Sequence, residues 1–270
     1  MEKRITCFMP YADRNSIEST VTSLINSGLV EKTVIVVNEG SASDYSDRGV
    51  SYFQSKGFTA TESLKKMAET AMTDYILVYS KTFPLDLGRF ALNRMMQVCE
   101  DTGAGMVYSG YYENKNDKLE FHPVIDYQEG SLRDDFNFGS LILYKSSAFR
   151  EACSLMNDNY QFAGLYDLRL KISQTHKLVY IPELLYTEFE PDLRKTGEKQ
   201  FDYIDPRNRA VQIEMEMACT DHLKKVRAWL QPLFREIRFD DEKFNTEASV
   251  IIPVKNRVKT IGDAIKSVLS

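Results

Sequence analysis

The chain has 270 residues, 43% hydrophobic and 27% charged, with 13 glycines and 8 prolines, which allows one large domain or two small ones around a substantial core. A formal net charge of -5 speaks against a dedicated nucleic-acid surface, which needs a concentrated basic face. No apolar run approaches the roughly 18 residues of a membrane span, and the first apolar run after Met1-Glu2-Lys3-Arg4 is too short for a signal-peptide core. A cytoplasmic setting is therefore expected, with work at the inner face of a membrane left open.

Taken in chain order, strand-like and helix-like segments alternate from the start. Residues 5–9 read as a buried strand ended by Pro10. Asn15 with Glu18 three residues later has the form of a capping box, opening a helix whose Ile17, Val21, Leu24 and Ile25 keep helical spacing up to Gly28. The β-branched run 33–37 predicts a second buried strand, followed by a loop of small and acidic residues from Asn38 to Asp44. Thr59 and Glu62 are placed to cap a helix carrying Leu64, Met67, Ala68 and Ala71. Further strands are expected at 75–79, 106–109, 140–144 and 178–181, and helices at 90–100, 147–156 and 167–173, with an exposed turn at 115–118.

Strands separated by helices imply βαβ units and a mostly parallel sheet covered on both faces, an α/β domain over residues 1–204. Such sheets bind ligands beyond the carboxyl ends of their strands, which directs attention to the loops after Met9, Val37 and Tyr79. Asp205-Pro206 forms a helix start, and a long helix to about Leu230 carries Val211, Met215, Ala218, His222, Val226 and Trp229 on one stripe. Residues 205–234 are thus a helix packed on the domain, and the aperiodic stretch 235–247 a linker. Cys7, Cys99, Cys153 and Cys219 have no paired spacing and read as buried thiols; His122, His176 and His222 fall in unrelated segments that suggest neither a triad nor a metal site.

The tail repeats the head. An apolar strand, a proline, a polar loop with arginine and an amphipathic helix occur at 5–25 and again at 248–269, where Ile261, Ile265, Val268 and Leu269 answer Ile17, Val21, Leu24 and Ile25. Residues 248–270 are accordingly expected to be the first strand and helix of a second, truncated domain in a longer protein.

The segment Ser249-Val250-Ile251-Ile252-Pro253-Val254-Lys255-Asn256-Arg257, with Thr260-Ile261 and the run from Ala264 to Leu269, is similar to the start of a family 2 glycosyltransferase. Residues 5–186 resemble the same family with weaker motifs: Val34–Ser41 as its second strand and acidic loop, Phe138-Gly139-Ser140-Leu141 as the strand before the acceptor region, and 178–186 as its late strand. The resemblance implies a GT-A fold, a nucleotide-sugar donor (a UDP-sugar), a glycan or lipid-linked acceptor, and inverting transfer by a tandem-domain protein. The same chemistry requires a carboxylate base, and normally a divalent metal held by an Asp-x-Asp motif to screen the diphosphate.

Carried over position by position, the resemblance makes Pro10, Tyr11, Arg14, Asn38, Glu39 and Lys81 candidates for the donor nucleotide. Where the metal motif belongs, the chain has Ser80-Lys81-Thr82, so no metal is expected in this domain; Mg2+ or Mn2+ would belong to the second. Lys81 is either a solvated lysine or a partner for the diphosphate. The family's Glu-Asp pair falls on Gly164-Leu165, leaving Asp167, Asp134 and Asp135 as candidate bases. Two readings stand side by side: a glycosyltransferase that works without metal or with relocated acids, and a degenerate, non-catalytic GT-A domain that binds an acceptor or partner and supports the domain after it. A nucleotidyltransferase-like binder is the third, and the glycine-free Pro10-Tyr11-Ala12-Asp13 lacks its phosphate loop.

Overall fold

The structure, a computed structural model, describes residues 2–38, 49–115, 118–156, 159–189, 209–234, 248–255 and 257–269. Two compact units divide the chain, 1–229 and 230–270.

In the first unit the order is β1 (Ile5–Pro10), α1 (Arg14–Asn26), β2 (Val30–Asn38), β3 (Val50–Ser55), α2 (Thr61–Thr70), β4 (Tyr75–Tyr79), β5 (Leu85–Leu87) and α3 (Ala91–Thr102). Then follow β6 (Met106–Lys115), β7 (Lys118–His122), β8 (Leu141–Lys145), α4 (Ser146–Ser154), α5 (Gly164–Ile172), β9 (Leu178–Phe189) and α6 (Arg209–Lys225). One sheet of nine strands runs β3-β2-β1-β4-β8-β6-β9-β5, with β7 paired to the far half of β6. β1, β2, β3, β4, β6 and β9 point one way and β5, β7 and β8 the other, so the sheet is mostly parallel, as the alternation predicts.

The strand period of two divides the core. Cys7, Met9, Ile35, Leu77 and Tyr79 point to one face, where Ile17, Val21 and Leu24 of α1 and Leu92 and Met95 of α3 cover them. Phe8, Val34, Val36, Ile76 and Val78 point to the other, beneath Leu64 and Met67 of α2, Phe149 of α4 and Leu168 of α5. Every residue of β4 is buried, as expected of a strand covered on both faces.

Several local expectations need correction. The cap of α1 is Asp13 and not Asn15: its carboxylate accepts from the backbone N–H of Asn15 and Ser16, both at 3.1 Å. α2 begins at Thr61 behind Ala60, with no side-chain cap from Thr59. β3 and β5 escape the sequence reading. β9 extends to Phe189, past both the 178–181 read from the apolar pattern and the 178–186 that the resemblance implies. α6 ends at Lys225, and at Arg227 the chain turns with φ 60°, so the stripe stops short: Ala218 and His222 are buried, while Val226 and Trp229 are exposed. The start expected at Asp205-Pro206, and the loop residues from Glu39 to Asp44, lie outside the described residues.

In the second unit α7 (Val258–Leu269) forms where the repeat predicts a helix, and no residue of it is buried. Residues 248–254, the strand half of the repeat, take no strand form here, and Val250 and Ile251 are exposed. A lone strand has no neighbour to satisfy its backbone, so the apolar pattern alone does not make one.

Candidate functional site

The carboxyl ends of β2, β1 and β4 lie side by side. Pro10 pairs with Val36, Phe8 with Val78, and the Tyr11 N–H donates to the Val36 carbonyl at 2.9 Å. That register brings four donor candidates to the carboxyl ends of these strands: Pro10 as the last residue of β1 and Tyr11 after it, Asn38 at the end of β2, and Lys81 just past β4. Asn38 and Lys81 are exposed, Arg14 opens α1 in solvent, and Tyr11 is half-buried against the core. Glu39 lies outside the described residues.

A cation site between the phosphates of a donor and this edge would need carboxylates. Ser80, Lys81 and Thr82 stand there and offer none, so these residues do not fit a divalent metal.

Beside the edge, on the α5 face of the sheet, is a cleft of about 430 Å³ bounded by Ser80, Gly139, Phe162, Leu165, Tyr166 and Met215, with Asp134 and Asp135 on its rim. The Ser80 N–H donates to the Ser140 carbonyl at 2.9 Å, which ties the loop after β4 to the start of β8. Gly139 makes the bend into β8 at φ 73°, and a Cβ there would stand 2.4 Å from the Tyr186 hydroxyl, so conformation and space both require glycine.

The turn that carries the two aspartates is anchored from α5. Arg169, 4% exposed, donates to the carbonyls of Ser131 and Arg133, each at 2.8 Å, with its guanidinium 4.9 Å from the Tyr166 ring centre and 5.5 Å from that of Phe138. The Tyr166 hydroxyl donates to the Leu132 carbonyl at 2.5 Å. Asp135 is held by Arg133 in a two-toothed pair, both contacts 2.9 Å, and the guanidinium keeps its carboxyl below the usual carboxylate range. Asp134 accepts from the Asp135 N–H at 3.1 Å. Of these two acids, Asp134 is the one without a guanidinium bond.

Asp167 stands elsewhere. It is 2% exposed in α5, 2.7 Å from the Lys171 ammonium, which also reaches Asp221 of α6 at 3.4 Å; it does not line the cleft. Neither acid of the pair that the resemblance implies is present at the start of α5, and at the first position there is no room for one. A Cβ on Gly164 would stand 2.3 Å from the Thr59 carbonyl oxygen and 2.8 Å from the Thr61 nitrogen, and Leu165 lines the cleft as an apolar residue.

A residue that sequence reasoning missed closes this end of α5. Glu214 of α6 accepts from the N–H groups of Gln161, Phe162 and Ala163 at 3.1, 2.6 and 3.1 Å, which fixes the segment that leads into α5. Its partners are 51 to 53 residues away in sequence, so no local pattern announces it.

No protein-family model and no curated protein matches the chain. Solved structures do. GalNAc-T7, crystallised with UDP, GalNAc and Mn2+, is 11% identical with a TM-score of 0.53 over 82% of this chain, which spans half of that protein's length. A 4-diphosphocytidyl-2C-methyl-D-erythritol synthase from Anaerococcus prevotii is 10% identical over 67% of this chain and 89% of its own, with a TM-score of 0.43. At these identities the likeness to GalNAc-T7 concerns the fold, which is GT-A-like. Among the described residues no helix is long and apolar enough to cross a membrane.

Proposed function

We propose that the first unit is a GT-A domain of a glycosyltransferase, binding a nucleotide-diphosphate sugar, a UDP-sugar, along the carboxyl ends of β1, β2 and β4 and a glycan in the cleft beside them. The observation that supports the reading is the strand register: Tyr11, Asn38 and Lys81 follow the carboxyl ends of adjacent strands, where a parallel sheet receives a nucleotide, and a cleft with aromatic walls and an acidic rim lies beside Ser80. Lys81 stands in for the cation, its ammonium pairing with the diphosphate, and Asn38 offers an amide to the base. Asp134 takes the proton of the acceptor hydroxyl while that oxygen attacks the anomeric carbon and the diphosphate leaves.

A second reading rests on a specific contact. Gly164 leaves no space for an acid at the start of α5, and Leu165 adds none, which favours a domain that holds donor or glycan for another catalytic domain. UDP-sugar turnover by the purified chain with glycan acceptors, beside Asp134→Asn, separates the two. The transferase reading expects turnover that falls about 100-fold or more in the variant; UDP-sugar binding without turnover supports the accessory reading instead.

A further inference from the structure

The β6–β7 hairpin carries a set of side chains that the donor edge does not use. Its register places Tyr111 opposite His122, Glu113 opposite Glu120 and Lys115 opposite Lys118. Residues two apart share a face, so the aromatic–imidazole pair, the two carboxylates and the two ammonium groups lie in consecutive rows on one side of the hairpin. On its other flank, Glu113 pairs with Glu188 of β9. Three carboxylates therefore stand in one row across three strands, and two of them are buried, Glu113 at 4% and Glu188 at 2% exposure. Like charges directly opposite in a sheet destabilise it unless cations intervene.

Lys115 lies 2.5 Å from Glu113 and Lys118 2.9 Å from Glu120, and Ser140 donates its hydroxyl to Glu188. The other element is the imidazole. The His122 ring lies nearly parallel to Tyr111, centroids 5.1 Å apart at 13°, and this stack turns Nε2 to within 2.6 Å of Glu113. One ligand atom each from Glu113, Glu120 and His122 lies within 4.8 Å of the others. Two ligands of a tetrahedral zinc ion at about 2.1 Å stand about 3.4 Å apart, a spacing between these two distances. Side-chain movement that brings the three ligand atoms to that spacing makes a three-ligand site with one position left for water.

We infer that Glu113, Glu120 and His122 bind one divalent ion of the imidazole-and-carboxylate class, zinc foremost, which replaces the ammonium groups of Lys115 and Lys118 and clamps β6 to β7. The site does not depend on the reading of the donor edge, and it uses none of the residues assigned to donor or acceptor. Since two cations leave as the metal enters, removing a lysine strengthens binding, a response that a simple ion-pair network does not give.

The test is calorimetric titration of the chelator-treated full chain with zinc, and in parallel with Mn2+, beside His122→Ala, Glu120→Gln and Lys118→Met. His122 and Glu120 are both partly exposed, so these changes spare the core, and circular dichroism checks the fold. The expected result is one equivalent of zinc, bound about tenfold or more weakly in His122→Ala and in Glu120→Gln and more tightly in Lys118→Met. Absence of zinc and manganese binding, or binding that both ligand variants leave unchanged, overturns the inference, the latter by assigning the metal to other groups such as the thiols.

Discussion

Helix α5 and the turn at 131–139 line the same cleft and treat carboxylates in opposite ways. On the helix side Asp167 is buried against Lys171, Glu214 is committed to three backbone N–H groups, and the first two helical positions carry no acid. On the turn side Asp134 and Asp135 are exposed on the rim, held in place from behind by Arg169. The helix side uses charge to fix structure: its carboxylates are taken up by an ammonium group and by backbone N–H groups. The turn pairs Asp135 with Arg133 but leaves Asp134 exposed, without a guanidinium partner, where a ligand can reach it. Proximity of an acid to a cleft thus says less about chemistry than the partners that its ionised form already has.

The largest effect that distinguishes the two sides is expected at Lys171. Lys171→Met removes the ammonium from a buried carboxylate, and chemical denaturation should show a loss of about 3–5 kcal/mol. Next comes Gly164→Ala, whose new Cβ meets backbone of the segment that opens α2, so it has little room to relax. About 1–3 kcal/mol is expected, and an unchanged midpoint would reopen that site to an acid. A smaller effect belongs to His222, which bonds Gln174 at 3.1 Å and whose proton affinity is lowered first by burial, then by Arg169 and Lys171. Its folded form prefers the neutral ring, so the unfolded chain binds more protons below the ordinary value of 6.5; stability should fall as pH drops through that value, and less so in His222→Gln. Asp134→Asn is expected to change stability least, within about 0.5 kcal/mol.

The alternation of strands and helices was legible because β1, β2 and β4 are nearly continuous apolar runs and α1 to α3 keep clear helical spacing. β3 and β5 were not. Val50-Ser51-Tyr52-Phe53-Gln54-Ser55 is a mixed edge segment and Leu85-Asp86-Leu87 is three residues long, too little for a period. The repeat makes the same point from the other direction. Ile17, Val21 and Leu24 are buried in α1, whereas the matching Ile265 and Val268 of α7 are each 46% exposed, and the apolar run before α7 forms no strand. A pattern specifies a face, and only a partner turns that face into a core.

At the site, the acidic turn before Phe138-Gly139-Ser140 and the loop after β4 could be read directly, since both sit at strand ends. Arg169, Glu214 and the hairpin row could not. Each depends on contacts between residues far apart in sequence or on opposite strands, and His122 in particular has no metal-like spacing until β6 and β7 are paired.

The central claim is a donor site that relies on a lysine in place of a metal. Calorimetry of the chain with UDP, with and without Mn2+, beside Lys81→Ala and Asn38→Ala, tests it most directly. The account predicts binding that needs no Mn2+ and weakens in both variants. No binding of UDP under any of these conditions would contradict it.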